Sequence, residues 1–155
     1  MSREKLEAYL QKQGVKGRIL TFEKHTITVA HAEEQLGVSR EKIIKSMLFV
    51  DEKGVPIIAI VTGDRKVDEE KLTEVSGAQK VRIARPRAVK SLTGYEAGAL
   101  PPVGHRKPIR TVIDQKVIIF DKVYGGGGAI NALLEIDTQD LKRLTDAEVA
   151  DISKE

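Results

Sequence analysis

The sequence predicts a single α+β domain: a mixed, largely antiparallel, β-barrel-like sheet surrounded by helices. Three observations carry this prediction. Short apolar runs of strand length mix with helical patterns, without the regular strand–helix repeat of a doubly wound sheet. Two pairs of those runs are joined by short polar turns, as hairpins are. No repeat, linker or low-complexity segment divides the 155 residues, a length that suits one core, so residues 1–155 read as one domain.

Ser2 is placed to cap a first helix, with Leu6, Tyr9 and Leu10 on one face and an end near Gly14. Residues 17–23 read as a strand. Val29–Leu36 reads as a helix with Gly37 as its C-cap. Ser39 opens a short helix that feeds the apolar run 47–50. A turn at 51–54 then returns the chain into the run 56–61, giving a hairpin. Residues 68–75 are helical up to Gly77, 81–84 form a short strand, and Pro86 stands where a helix over 87–92 begins. Residues 93–108, with three glycines and three prolines, form a loop. Residues 111–113 and 117–120 are expected to pair as a second hairpin around Asp114. The glycine run 125–128 precedes a last apolar strand, 130–136, then a helix over 138–144. The end segment, 148–152, fits strand or helix.

Hydrophobic residues make up 41% and charged residues 32%, the composition of a globular chain rather than a disordered one. No stretch reaches the roughly 20 apolar residues of a membrane span. The charged start, Met1 to Lys5, does not read as a signal peptide. The absence of cysteine excludes disulfides, thiolate catalysis and cysteine-bound zinc. These features predict a cytoplasmic protein with no membrane partner. The net charge is only +3, but it is unevenly spread: between Val75 and Ile113 the sole acid is Glu96, against eight lysines and arginines. Such a segment suits a polyanion, because neutralising phosphates releases counterions; a plain solvated face fits it too. With 4% aromatics and no Trp, many stacked bases are not expected, so contacts to a backbone or a strand end are favoured.

Three segments could carry chemistry. In the loop, Gly98 permits a backbone conformation or a close ligand approach that a side chain would prevent, while Pro101 and Pro102 stiffen the chain; an ordinary turn would use the same residues. Lys45 enters an apolar strand, and alternation puts it on one face with Met47 and Phe49, while Ser46 and Leu48 share the other. There it is either a fixed cation for a phosphate or carbonyl oxygen, or a charge complementing the end of the preceding helix. The run Gly125–Gly128 lacks the spacing of a dinucleotide or P-loop motif, and close packing against the Gly98 loop accounts for it better. His25, His31 and His105 show no metal-ligand spacing, so no metal and no cofactor is expected. Ser46, Ser76 and Ser91 lack a nucleophile-elbow context, and Asp64 and Asp114 sit at turns. With no evident nucleophile or base, any catalysis must rest on positioning, backbone groups or the substrate itself.

In this order, the segment 44–50 with its lysine, Thr93-Gly94-Tyr95, the stretch 98–102, Val112-Ile113-Asp114, Tyr124 with its glycines and Asp137 with Asp140-Leu141 resemble the YbaK, ProX and prolyl-tRNA synthetase editing-domain family. The resemblance runs from about Leu20 to Ile152. It implies hydrolysis of the ester that joins a wrong amino acid to the 3′-terminal adenosine of a tRNA. The enzyme would be a freestanding trans-editing deacylase, with cysteine or alanine on the tRNA for proline as first candidates. Lys45, Gly98 and Pro102 match the family's catalytic positions. Lys45 would bind the terminal phosphate or the carbonyl region, and the nucleophile would be a water or a ribose hydroxyl held by backbone groups. Phe22, His31, Ala99, Leu100, Pro101, Gly104, Gly127 and Gly128 are the candidate substrate-binding set. Arg82, Arg85, Arg87, Arg106 and Lys107 are candidates for holding the acceptor stem. The partners implied are aminoacylated tRNA and, second, an aminoacyl-tRNA synthetase, with the protein a monomer or homodimer. The chain departs from the family in the apolar Ala129, Ile130 and Leu133 after the glycines, and in having Pro101 beside Pro102. Two rivals stand beside this reading: a non-catalytic module that grips tRNA or a synthetase, and a nucleotide-binding protein.

Overall fold

A computed structural model describes residues 2–155; Met1, which opens the charged start, lies outside the described residues. The elements run α1 (Arg3–Gln13), β1 (Arg18–Thr21), α2 (Val29–Leu36), β2 (Ile44–Asp51), β3 (Pro56–Thr62), β4 (Lys66–Val67), α3 (Glu69–Ser76) and β5 (Val81–Ile83). They continue through α4 (Pro86–Thr93), β6 (Arg110–Asp114), β7 (Lys122–Gly126), β8 (Ala132–Asp137), α5 (Thr138–Thr145), β9 (Glu148–Ala150) and β10 (Ser153–Lys154). Helices α1, α2 and α3 begin where side chains satisfy their free amides: Ser2 accepts from Lys5 N–H, Thr28 from His31 N–H, and Asp68 from Glu70 and Lys71 N–H. α1 to α4 each end on a glycine in the left-handed conformation, as expected from Gly14, Gly37 and Gly77.

The architecture is mixed α+β, as the sequence predicts, but the sheets do not close into a barrel. A five-stranded sheet has the order β5-β2-β3-β6-β9, a three-stranded sheet β1-β8-β7, and β10 pairs with β4. The hairpin β2–β3 is antiparallel in register Ile44↔Thr62 to Val50↔Pro56. β3 is buried along nearly its whole length because both of its faces meet apolar side chains. Ile58 and Ile60 pack with Leu48, Val89, Tyr95 and Ile113 on one side; Ile57, Ala59 and Val61 pack with Phe49, Leu72, Val112 and Ile152 on the other. A continuous apolar run is what two covered faces require.

Two expectations fail. The second hairpin does not form: β6 is parallel to β3 on one edge and to β9 on the other, so both its edges are already taken. Val117–Ile119 is instead a turn of 3₁₀ helix. Asp114 is fully buried here and accepts the amides of Lys116 and Ile152, which ties the start of that turn to the C-terminal segment. The glycine run is also not simply a prelude to a strand. Gly125 and Gly126 lie within β7, which pairs with β8, and the strand expected over 130–136 begins only at Ala132.

Candidate active site

β7 is glycine-rich because other backbone and side chains pass close to it. A Cβ on Gly126 would collide with the Leu100 carbonyl, and one on Gly125 would sit 3.0 Å from Ile44 Cγ1 and 3.6 Å from Pro102 Cδ. The Gly128 amide donates to the Ala99 carbonyl at 3.0 Å. The glycine run and the 98–102 loop are thus bound together by main chain, leaving a cavity of about 200 Å³ beside them. Its walls come from 26–29 before and in α2, from residues 43–47, and from Ala97, Gly98, Leu100, Gly125 and Gly126. Among the described residues, no histidine, aspartate or glutamate lines it.

Lys45 stands where this cavity meets an open groove of about 590 Å³ that also takes in Met47, Phe49, Lys66 and Asp68. That grouping follows the strand alternation. Lys45 Nζ donates to the Arg65 carbonyl, and Arg65 Nε in turn donates to Ser153 Oγ at 2.7 Å. An ammonium carries three donors, so two remain for a ligand. Burial pushes the Lys45 pKa below the usual lysine value, partly opposed by Asp64 and reinforced by Lys66.

Gly98 lies on the cavity wall and is not in the left-handed region. Its glycine is required by proximity: an added Cβ would fall 2.7 Å from Ile27 Cβ and 2.9 Å from the Ile27 carbonyl oxygen. Leu100 also lines the cavity. Pro101, Pro102 and Ala99 are buried behind it, and the Pro101 carbonyl accepts from His105 Nε2 at 2.9 Å. That bond fixes the imidazole tautomer, leaving a buried Nδ1 without a partner; burial lowers the His105 pKa, opposed by the contact to Pro101. Gly104 packs on Leu6 and Tyr9 of α1, Gly127 on the Ala132 backbone, and Gly128 on Arg3 and Tyr95; these three stand outside the cavity walls.

Phe22 packs with Ala32, Ile43 and Leu133 behind the cavity. His31 is exposed on α2, edge-on to His25, with Nδ1 2.5 Å from Thr28 Oγ1, and does not line the cavity although Thr28, Val29 and Ala32 do. Arg82, Arg85 and Arg87 are exposed around a shallow depression of about 800 Å³ floored by Val50, Ala84 and Ala88. Ser91 joins this depression to a smaller one bordered by Arg106, next to the exposed Lys107. The sequence did not reveal the residues contributed by 26–29, nor Ser46. Nothing local marks Ile27 or Thr28 as neighbours of Gly98, because the fold alone brings them together.

Residues 23–144 match the aminoacyl-tRNA editing domain family. The chain superposes on the crystal structure of hypothetical protein APE2540 with a TM-score of 0.92 and 39% identity, covering 97% of this chain and 99% of that one. It superposes on a structure described as a provisional trans-editing enzyme for prolyl tRNA synthetase with a TM-score of 0.90 and 30% identity, covering 99% and 97%. An Enterococcus faecalis protein with the provisional name Cys-tRNA(Pro)/Cys-tRNA(Cys) deacylase EbsC is 26% identical over 120 residues, 77% of this chain and 73% of its own. With the family matched across most of the chain and the fold matched end to end, this protein belongs to the aminoacyl-tRNA editing domain family.

Proposed function

We propose that the protein is a trans-editing deacylase that hydrolyses the ester between a misattached amino acid and the 3′ end of a tRNA. The observation that carries this reading is the convergence of Lys45, Gly98 and the β7 glycines on one small cavity with no histidine or carboxylate among the described residues that line it. Such a site suits a reaction in which position and backbone polarity act on a bound water or on the ribose hydroxyl. The attack forms a bond to the ester carbonyl carbon and breaks the bond to the ribose oxygen. The proton lost by the water passes to that oxygen, releasing free amino acid and intact tRNA. Lys45 holds the terminal phosphate or the carbonyl oxygen with its remaining N–H donors. Gly98 and Leu100 shape the wall, with Pro101 and Pro102 as its rigid backing and Ala99 tied to Gly128. Phe22, His31, Gly104 and Gly127 would act on the pocket from behind or beside it, through the elements they pack.

The near-complete coverage of the trans-editing structure supports action in trans by one domain over residues 1–155. The prolyl and cysteinyl names of the relatives make cysteine on the tRNA for proline the first substrate to test, with alanine beside it as the sequence resemblance implies. The exposed arginines 82, 85, 87 and 106, with Lys107, are the proposed acceptor-stem contacts, and an aminoacyl-tRNA synthetase is the second proposed partner. A cytoplasmic location follows from such a substrate; no helix among the described residues is long and apolar enough to cross a membrane.

The deciding measurement is release of free amino acid from a panel of mischarged tRNAs. Lys45→Ala is expected to lower the rate on the order of a hundredfold, as loss of one preorganised electrostatic contact does, with an unchanged circular dichroism spectrum. A protein that protects the ester instead of cleaving it would be a tRNA-binding module and would overturn the proposal.

A further inference from the structure

The edge of β2 has a gap, and Ser46 stands in it. β5 joins this edge at Leu48, whose carbonyl accepts from the Ala84 amide at 2.8 Å, and its ladder runs on from Phe49 to Asp51. β7 meets the strand at the other end, through the bridge between Ile43 and Tyr124. In an antiparallel strand, alternate residues turn their N–H and C=O to the same side. Ser46 therefore points its main-chain groups the way Leu48 does, away from β3, into the space between the two neighbouring strands.

The Ser46 hydroxyl adds to this. The residue is 8% exposed, yet its Oγ has no hydrogen-bond partner among the described residues. A buried hydroxyl keeps the full cost of losing its water unless something bonds to it, so such groups are ordinarily matched by a ligand or a water. The surroundings of the hydroxyl point the same way. Ser46 lines both the 200 Å³ cavity beside Lys45 and an adjoining recess of about 290 Å³, and the two share Met47, Ala97 and Leu100 as well. The recess is otherwise walled chiefly by apolar groups, among them Leu48, Pro86 and Val89.

We propose that this recess receives the side chain of the esterified amino acid and that Ser46 is its specificity-determining residue. Its hydroxyl bonds to a hydroxyl or thiol carried on the substrate's β-carbon. The proposal rests on the deacylase reading and deepens it: the substrate class is a small amino acid with such a polar atom, preferred over alanine. Alanine fills the same space but leaves the Ser46 hydroxyl unmatched, which is the condition under which a polar site discriminates most.

Serine and alanine differ by the one atom concerned, so tRNA for proline acylated with each is the probe. The wild-type protein is expected to hydrolyse the seryl ester with a kcat/KM about tenfold above that of the alanyl ester, the ratio that one ordinary hydrogen bond commands. Ser46→Ala is expected to bring the ratio close to one. Both rates come from one preparation, so any change in folded fraction cancels. A wild-type protein with no seryl preference, or a preference that survives Ser46→Ala, overturns the inference while leaving the deacylase reading in place. Activity on other members of the mischarged panel but on none of the seryl, alanyl and cysteinyl esters overturns this inference alone, whereas no release from any member of the panel defeats the deacylase reading and this inference with it.

Discussion

Gly98 shows how a single missing methyl group shapes the site. The clash that an added Cβ would make involves the Cβ and the carbonyl of Ile27, neither of which can move by changing a rotamer. Gly98→Ala must therefore displace the loop or the segment before α2, both of which wall the cavity. Overpacking of this kind costs about 1–3 kcal/mol. The expected outcome is a modest fall in Tm with a disproportionate loss of kcat/KM, read by calorimetry and the deacylation assay. That Gly98 stands out was legible in the sequence, as a place for a backbone conformation or a close ligand approach. The partner was not, because Ile27 lies far away along the chain. Lys45 was legible in the same partial way. Strand alternation indicated its face and its company with Met47 and Phe49, but its anchor, the Arg65 carbonyl, belongs to a turn whose local sequence carries no sign of it.

At the scale of elements, local pattern sufficed wherever a helix or hairpin is made by neighbours in sequence, and failed where a strand finds a distant partner. The first three helices carry their own caps, and β2 and β3 are joined by a short turn, so these were readable. The strand over 111–113 was readable too, as β6, but its pairing was not, because its two partners, β3 and β9, are both parallel and both remote. β7 escaped notice for a different reason. Glycine has little intrinsic preference for strands, and what holds Gly125 and Gly126 there is the closeness of Ile44 and the Leu100 carbonyl. Asp114 is the residue on which the β6 arrangement depends. Its carboxylate oxygens accept the Ile152 amide at 2.9 Å and the Lys116 amide at 3.2 Å in a fully buried setting. Asp114→Ala leaves these donors without an acceptor and is expected to destabilise the fold by about 1–3 kcal/mol, seen as a lower urea midpoint. Asp114→Asn, which keeps one carbonyl oxygen, is expected to recover part of that loss.

Across the whole molecule, four arginines of the basic middle section border two neighbouring depressions. Arg82, Arg85 and Arg87 edge the depression over α4, and Ser91 connects it to Arg106. A surface of this kind acts through phosphate neutralisation, so tRNA affinity is expected to fall steeply as salt rises. Replacing Arg82, Arg85 and Arg87 together by alanine is expected to flatten the slope of log affinity against log salt by about 0.7–0.9 for each phosphate no longer neutralised. Cleavage of a minimal aminoacyl-nucleotide, which has no stem to hold, is expected to change much less. An unaltered salt slope would place the acceptor stem on another face.

The Arg65 turn joins regions that the chain otherwise keeps apart. Its carbonyl holds the Lys45 ammonium, its guanidinium holds the Ser153 hydroxyl, and the Ser153 carbonyl in turn accepts from Lys71. The lysine's aim is thereby moored to the tail of the polypeptide through a relay of two side chains. Fraying of β10 away from β4 would loosen that mooring with no change in any residue that touches the cavity. Under the proposed deacylase reading the C-terminal strand supports that aim mechanically, and trimming it by a protease is expected to weaken ester cleavage before it unfolds the domain.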